Sequence, residues 1–279
     1  MATTLIDAVV EHVRRVAGEV SGRPAVIGLQ GLQGIGKTTL TTALAELASP
    51  RVLVFSIDDL YLDQTGLAAV RERHAGNGLY VNRGAAGTHE VARLVAILED
   101  VRAGRPTEIP QYDKSLHGGA GDRLPRSAWR RVDGPYDAVV LEGWNVGFRA
   151  VGAAAAEAAW AAAPADSALR RFTAADVVAA DAELAAYEAV WQAFDGFVQL
   201  DAEDVGYVYA WRLQQEQALR ARTGRGMTDE QVARFVDTYM PAYALYQAAV
   251  RRGLWTDRPG RQLRVVVGRD RRVVGVTRI

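Results

Sequence analysis

Four short apolar runs, at residues 25–29, 52–55, 138–141 and 196–200, punctuate the chain, each bounded by polar or turn-forming residues. They are continuous rather than alternating, the pattern of strands buried on both faces of a parallel sheet. Helical periodicity fills residues 39–48, 67–74, 90–103, 174–194, 205–222 and 228–251, with Thr223-Gly224-Arg225-Gly226 breaking the last two apart. Residues 1–20 alternate apolar positions with Glu11, Arg14, Arg15 and Glu19, as an amphipathic helix does. The Ala-rich stretch 153–165 reads as a helix of little chemical content or a poorly ordered insertion. Residues 107–135 read as loop, and 263–267 and 272–276 as short β runs joined by a turn. Strands alternating with helices predict an α/β fold with a mostly parallel sheet covered on both faces.

Composition narrows this picture. The chain has 279 residues, 49% of them hydrophobic, enough for one large core. Its net charge of +0 comes without a basic stripe, which argues against a nucleic-acid partner. There are no cysteines, so disulfides and thiolate metal sites are excluded. No apolar run approaches the ~20 residues that span a bilayer, and the N-terminus lacks the apolar core of a signal peptide. No membrane association and a cytoplasmic location are therefore expected. Of 33 basic residues only Lys37 and Lys114 are lysines. Where arginine serves for ordinary surface charge, a lysine suggests a place that needs a compact ammonium.

Gly31-Leu32-Gln33-Gly34-Ile35-Gly36-Lys37-Thr38 matches G-x-x-x-x-G-K-[ST] in full, between an expected strand and an expected helix. The glycines let successive N–H groups of Gly31, Gly34, Ile35, Gly36, Lys37, Thr38 and Thr39 curl around phosphate oxygens, and the helix adds its positive end. Lys37 is expected on the β- and γ-phosphates and the Thr38 hydroxyl on Mg²⁺. The expected fold is thus a P-loop three-layer α/β/α sandwich in one domain, 1–279. It has an N-terminal helix at 1–23, a substrate-binding insertion at 82–135 and a helical lid at 205–251. Neither lysine is preceded by Asn, so no guanine-recognition motif exists and ATP is the expected donor.

Ligands of open parallel sheets bind beyond the carboxyl ends of the strands. Asp58-Asp59 follow the second strand and Glu142 the third. Asp58 is assigned as general base for an acceptor hydroxyl and Glu142 as the acid on the metal side, alongside catalytic Lys37. Asp59 has an equally simple reading as a turn cap. Between these strands lie Arg83, His89, Tyr112, Lys114 and Arg123, a set suited to a small anionic acceptor. Each has a plainer reading: Thr88 could cap a helix and leave His89 exposed, and the cations could be solvated. Arg212, Gln215, Glu216 and Arg220 share a helix face. Arg212 and Arg220 are candidate lid cations for the transferring phosphoryl, or members of an ordinary charged face.

Several segments, in this order and spacing, resemble the D-glycerate 3-kinase family, itself more distantly related to uridine kinase, pantothenate kinase and phosphoribulokinase. They are the phosphate loop, Ser56-Ile57-Asp58-Asp59-Leu60-Tyr61, residues 83–90, 110–115 and 121–123, Leu141-Glu142-Gly143-Trp144, and residues 207–214 and 239–243. The resemblance implies transfer from ATP, with Mg²⁺, to D-glycerate, giving 3-phosphoglycerate and ADP. It places the base on Asp58 and adds Tyr61 to the acceptor candidates. Other small acceptors (a nucleoside, pantothenate or a sugar phosphate) share the same machinery, and a regulatory ATPase is the reading from another class.

Overall fold

The computed structural model describes residues 4–279; the first three residues of the expected N-terminal helix lie outside it. In chain order its elements are α1 (Leu5–Glu19), β1 (Ala25–Gly31), α2 (Lys37–Ala45), β2 (Val52–Ser56), α3 (Gln64–Arg73) and α4 (Val91–Arg102). Next come β3 (Thr107–Ile109), β4 (Tyr112–Asp113), β5 (Asp122–Arg123), β6 (Arg130–Val132) and β7 (Ala138–Gly143). The remainder are α5 (Ala153–Ala162), α6 (Ala174–Glu183), α7 (Glu188–Gln192), β8 (Gly196–Ala202), α8 (Tyr207–Thr223), α9 (Asp229–Asp237), α10 (Met240–Arg252), β9 (Gln262–Val267) and β10 (Val273–Arg278).

The main sheet has the order β10-β9-β8-β1-β7-β2. All neighbours run parallel except β10, which pairs antiparallel with β9 at the edge. β1 and β8 are buried along their whole length, as their unbroken apolar runs require. Helices flank the sheet to make an α/β sandwich, and no described helix is long and apolar enough to cross a membrane. β7 inserts between β1 and β2, so the chain leaves β1 for a strand that is not its neighbour. That crossover opens a crevice at the strand tips, where open sheets bind ligands.

Three expectations differ from the structure. The 107–135 segment is not merely loop: β3 pairs with β6 and β4 with β5, in two short antiparallel ladders. The expected helix 228–251 breaks at Tyr239, because Pro241 in the first turn of α10 has no N–H to continue a preceding helix. The expected helix 174–194 tightens into a 3₁₀ turn at Leu184–Tyr187, and both named residues are buried there. The Ala-rich stretch is ordered as α5. Ala156 packs with Leu169 and Val177, and the Trp160 indole donates to the Phe172 carbonyl at 2.8 Å.

Candidate functional site

The phosphate loop leaves the buried end of β1 and enters α2. Gly34 and Gly36 have φ of 78° and 111°, a region that favours glycine. Gly31 is needed for another reason: a Cβ there would stand 2.9 Å from Cγ of Lys37, in the path of that side chain. The Lys37 ammonium folds back onto the loop and donates to the carbonyls of Gly31 at 2.9 Å and Leu32 at 3.4 Å. Burial lowers its pKa below the ordinary lysine value, while Glu142 and Asp58 pull it back. The loop is braced from outside. The Arg271 guanidinium donates to the Gly34 carbonyl at 2.8 Å, and the Gln33 N–H donates to the Tyr243 hydroxyl at 3.2 Å.

β2 delivers the acids. Ser56 and Asp59 form a reciprocal capping box around a 3₁₀ turn, so Asp59 is the turn cap, and burial raises its carboxyl to about 6. The same turn aims Asp58 the other way. Its Oδ2 accepts from Lys114 at 2.6 Å, and its Oδ1 is buried with no partner. Burial pushes the Asp58 carboxyl up, but the Lys114 ammonium, with smaller contributions from His89 and the Tyr61 hydroxyl, more than offsets this, leaving it below the ordinary carboxylate value. Ser56 pairs in register with Glu142 on β7, and Glu142 in turn with Leu29 on β1, so the two acids and the lysine converge from three neighbouring strands.

Side chains from the segment between β2 and β7 wall the site. His89 is buried, not exposed as the Thr88 cap reading allowed: Thr88 instead donates its hydroxyl to the Ala85 carbonyl. The His89 ring stacks on Tyr61 with centroids 4.5 Å apart, its Nδ1 lies 2.7 Å from the Tyr187 hydroxyl, and its Nε2 has no partner. Burial drops His89 to about 4, so the ring is neutral at physiological pH. Burial and then Asp58 raise the Tyr61 phenol, which keeps it a donor. The Arg83 guanidinium lies over the rings of Tyr112 and Tyr61 and donates to the Gly119 carbonyl at 2.9 Å. Arg123 is fully engaged with Glu90 and with the Tyr61 and Leu60 carbonyls, so in this structure it holds the wall together.

The backbone of Arg212 lies beside the loop, with its guanidinium paired to Glu216 at 3.3 Å, while Arg220 stands away from the loop. A Cβ on Gly34 would meet Trp211 at 2.6 Å and the Arg212 backbone at 3.5 Å, so this turn of α8 lies against the loop. Arg220 stands eight residues on, ~12 Å along the helix, and pairs with Asp229. Arg271 and Tyr243 received no role from the sequence. Arg271 sits in an expected β turn, where no spacing marks it, and Tyr243 lies in a recognisable segment without a motif of its own.

Thr38 is exposed in the first turn of α2, beside Lys37. Among the described residues no cluster of three or more His, Asp or Glu could hold a metal alone. Thr38 and Glu142 offer oxygen donors of the kind that suit a hard cation carried by phosphate oxygens.

A Gly-rich phosphate loop, a lysine folded back onto it, an acid with a free oxygen and a wall built from His89, Tyr61 and Arg83 together define a P-loop kinase acting on small molecules. No family model matches the chain. It is 37% identical over 248 residues to an uncharacterized kinase of Schizosaccharomyces pombe, covering 87% of each chain. It is also 37% identical over 231 residues to the chloroplastic D-glycerate 3-kinase of Arabidopsis thaliana, spanning 80% of this chain and 48% of the plant enzyme. Among solved structures, D-glycerate 3-kinase from Cryptococcus neoformans superposes with a TM-score of 0.87 at 32% identity, over 98% of this chain and 97% of that one. The chain belongs to the D-glycerate 3-kinase family and is an ATP-dependent small-molecule kinase.

Proposed function

We propose that this kinase transfers the γ-phosphoryl group of ATP to D-glycerate, giving 3-phosphoglycerate and ADP. The observation that carries the reading is the Asp58 carboxylate, paired to Lys114 through one oxygen and holding the other buried and unpartnered. A buried acceptor atom without a donor is costly, and an alcohol O–H supplies the missing partner. Lys114 stands within reach of the same ligand and is half exposed, so its ammonium can turn to an acid's carboxylate. His89, neutral at physiological pH, offers Nε2 to a hydroxyl.

In the reaction, the loop amides and Lys37 hold the triphosphate, and Asp58 orients the hydroxyl and takes its proton as the bond to phosphorus forms. Arg212 lies nearest the loop of the two lid cations and supplies charge to the transferring group. Thr38 and Glu142 would hold Mg²⁺ on its protein side, where the ion would neutralise phosphate charge.

The test is ADP release with D-glycerate, uridine, pantothenate and ribulose 5-phosphate offered in turn. Turnover with D-glycerate far above the rest is expected. Turnover confined to another acceptor replaces the substrate, and ATP hydrolysis indifferent to all four favours a regulatory ATPase.

A further inference from the structure

Beyond Glu142 the chain continues through Gly143 into Trp144 and Asn145, and this pair has unmet hydrogen-bonding capacity. Asn145 is 1% exposed, and neither its amide nitrogen nor its carbonyl oxygen has a partner; the Trp144 indole N–H is also buried and unpartnered. Three orphaned polar atoms on two consecutive residues are unusual in a folded interior, where such groups are nearly always paired. Both residues line one cavity. Leu79, Ala86, Leu184 and Leu245 make its apolar walls, and Arg83 and Tyr239 stand at its polar side.

The cavity lies beside the strand tip that carries Asp58. β2 and β7 are adjacent parallel strands, with Ser56 opposite Glu142. Asp58 lies two residues past one and Trp144 two past the other, so they leave neighbouring tips, with strands ~5 Å apart. Arg83 stacks over Tyr61 and Tyr112 in the Asp58 wall and also borders the cavity. Tyr239 packs edge-on against Trp144 at 4.8 Å and donates to the Arg83 carbonyl at 3.4 Å.

We infer that Trp144 and Asn145 form the specificity subsite for the end of the acceptor that is not phosphorylated. The inference rests on the acceptor reading above and deepens it. The indole N–H and the amide N–H donate to an acid's oxygens, and the amide carbonyl accepts from the neighbouring hydroxyl. That donor and acceptor set fits a small 2-hydroxy acid, with nonpolar walls excluding water around it. A buried site that hydrogen-bonds a substrate group strongly rejects analogues lacking it, because its own atoms are then left unpaired.

The experiment follows the Trp144 indole ¹⁵N–H resonance, assigned with Trp144→Phe, as D-glycerate is added with Mg²⁺ and a non-hydrolysable ATP analogue. A saturable shift with D-glycerate, and none with glycerol, is expected. Kinetics run alongside: Asn145→Leu should raise the D-glycerate KM at least about tenfold and leave the ATP KM within about twofold. An indole unmoved at D-glycerate concentrations that sustain wild-type turnover overturns the subsite, whether or not Asn145→Leu folds, and means that water alone satisfies these atoms. Wild-type protein without any D-glycerate turnover overturns the acceptor reading instead, and this inference with it.

Discussion

Asp58 and Lys114 set each other's chemistry. An ammonium 2.6 Å from a carboxylate holds the base ionised but also weakens it, so the pair should be separable by substitution. Asp58→Asn should lower kcat by ~10²-fold or more with little change in the ATP KM, since it removes the proton acceptor and leaves the phosphate grip. Lys114→Ala should raise the acceptor KM more than the ATP KM. It should also move the acid limb of kcat/KM to higher pH. The base works only when ionised, so activity falls as pH drops through its pKa, and losing the ammonium raises that pKa. Steady-state profiles between pH 4 and 8 decide this; an acid limb that stays in place would sink the idea that Lys114 tunes Asp58. At this scale the sequence told residues apart unevenly. Asp58 was legible because it ends a strand beside a phosphate loop. His89 was named as a candidate, but its burial was not legible, because that depends on stacking against Tyr61, a contact made across 28 residues of chain. Arg123 looked identical to Arg83 in sequence, and only Glu90 and two backbone carbonyls show that its guanidinium is already spent.

Elements meet at the loop through very small clearances. Gly34 has φ of 78° and its missing Cβ leaves room for Trp211 of α8. Trp211 in turn lies under the Arg271 guanidinium at 5.2 Å and donates its indole N–H to the Arg269 carbonyl. The β9–β10 turn, α8 and the phosphate loop therefore form one packed unit. Gly34→Ala adds a left-handed backbone cost of ~1–2 kcal/mol and drives a methyl to 2.6 Å from the Trp211 Cβ, so loop and helix must part. Nucleotide affinity should fall at least about tenfold, read by titration with a fluorescent ATP analogue, while the fold survives by circular dichroism. Unchanged affinity would show that α8 does not brace the loop. Strands and helices with long apolar patterns were readable in advance. β3 to β6 were not, because ladders of two or three residues are too short to carry a period. The 228–251 helix was read through Pro241, although that proline is the residue that ends it.

Across the whole molecule, the order β10-β9-β8-β1-β7-β2 brings both ends of the described chain together, a fact no local pattern encodes. α1 lies along β8 and β9, and Arg261 and Arg278 pair with its Glu19 and Glu11. Between those pairs His12 is fully buried, its Nδ1 3.3 Å from the Arg15 guanidinium. Burial, then Arg15, depresses its pKa from 6.5 to about 4; Arg278 adds to this, while the Arg261 backbone and Glu19 oppose it. A folded pKa below the unfolded one means the unfolded chain takes the proton first. The corresponding stability is complete above pH 6.5 and is lost as pH falls toward 4. By pH 4.5 the loss from this one histidine is ~2–3 kcal/mol at most. Other titrating groups complicate the wild-type curve alone: His89 falls in the same direction, whereas Asp59, raised to about 6, gains stability as pH drops. Both remain in His12→Asn, so the difference between the two proteins isolates His12. Urea unfolding at pH 7, 5.5 and 4.5 should show the variant losing less stability than wild type across the interval. Parallel losses would mean that α1 opens and hydrates His12 before the core unfolds, and that the docking of α1 on the sheet contributes nothing to acid sensitivity.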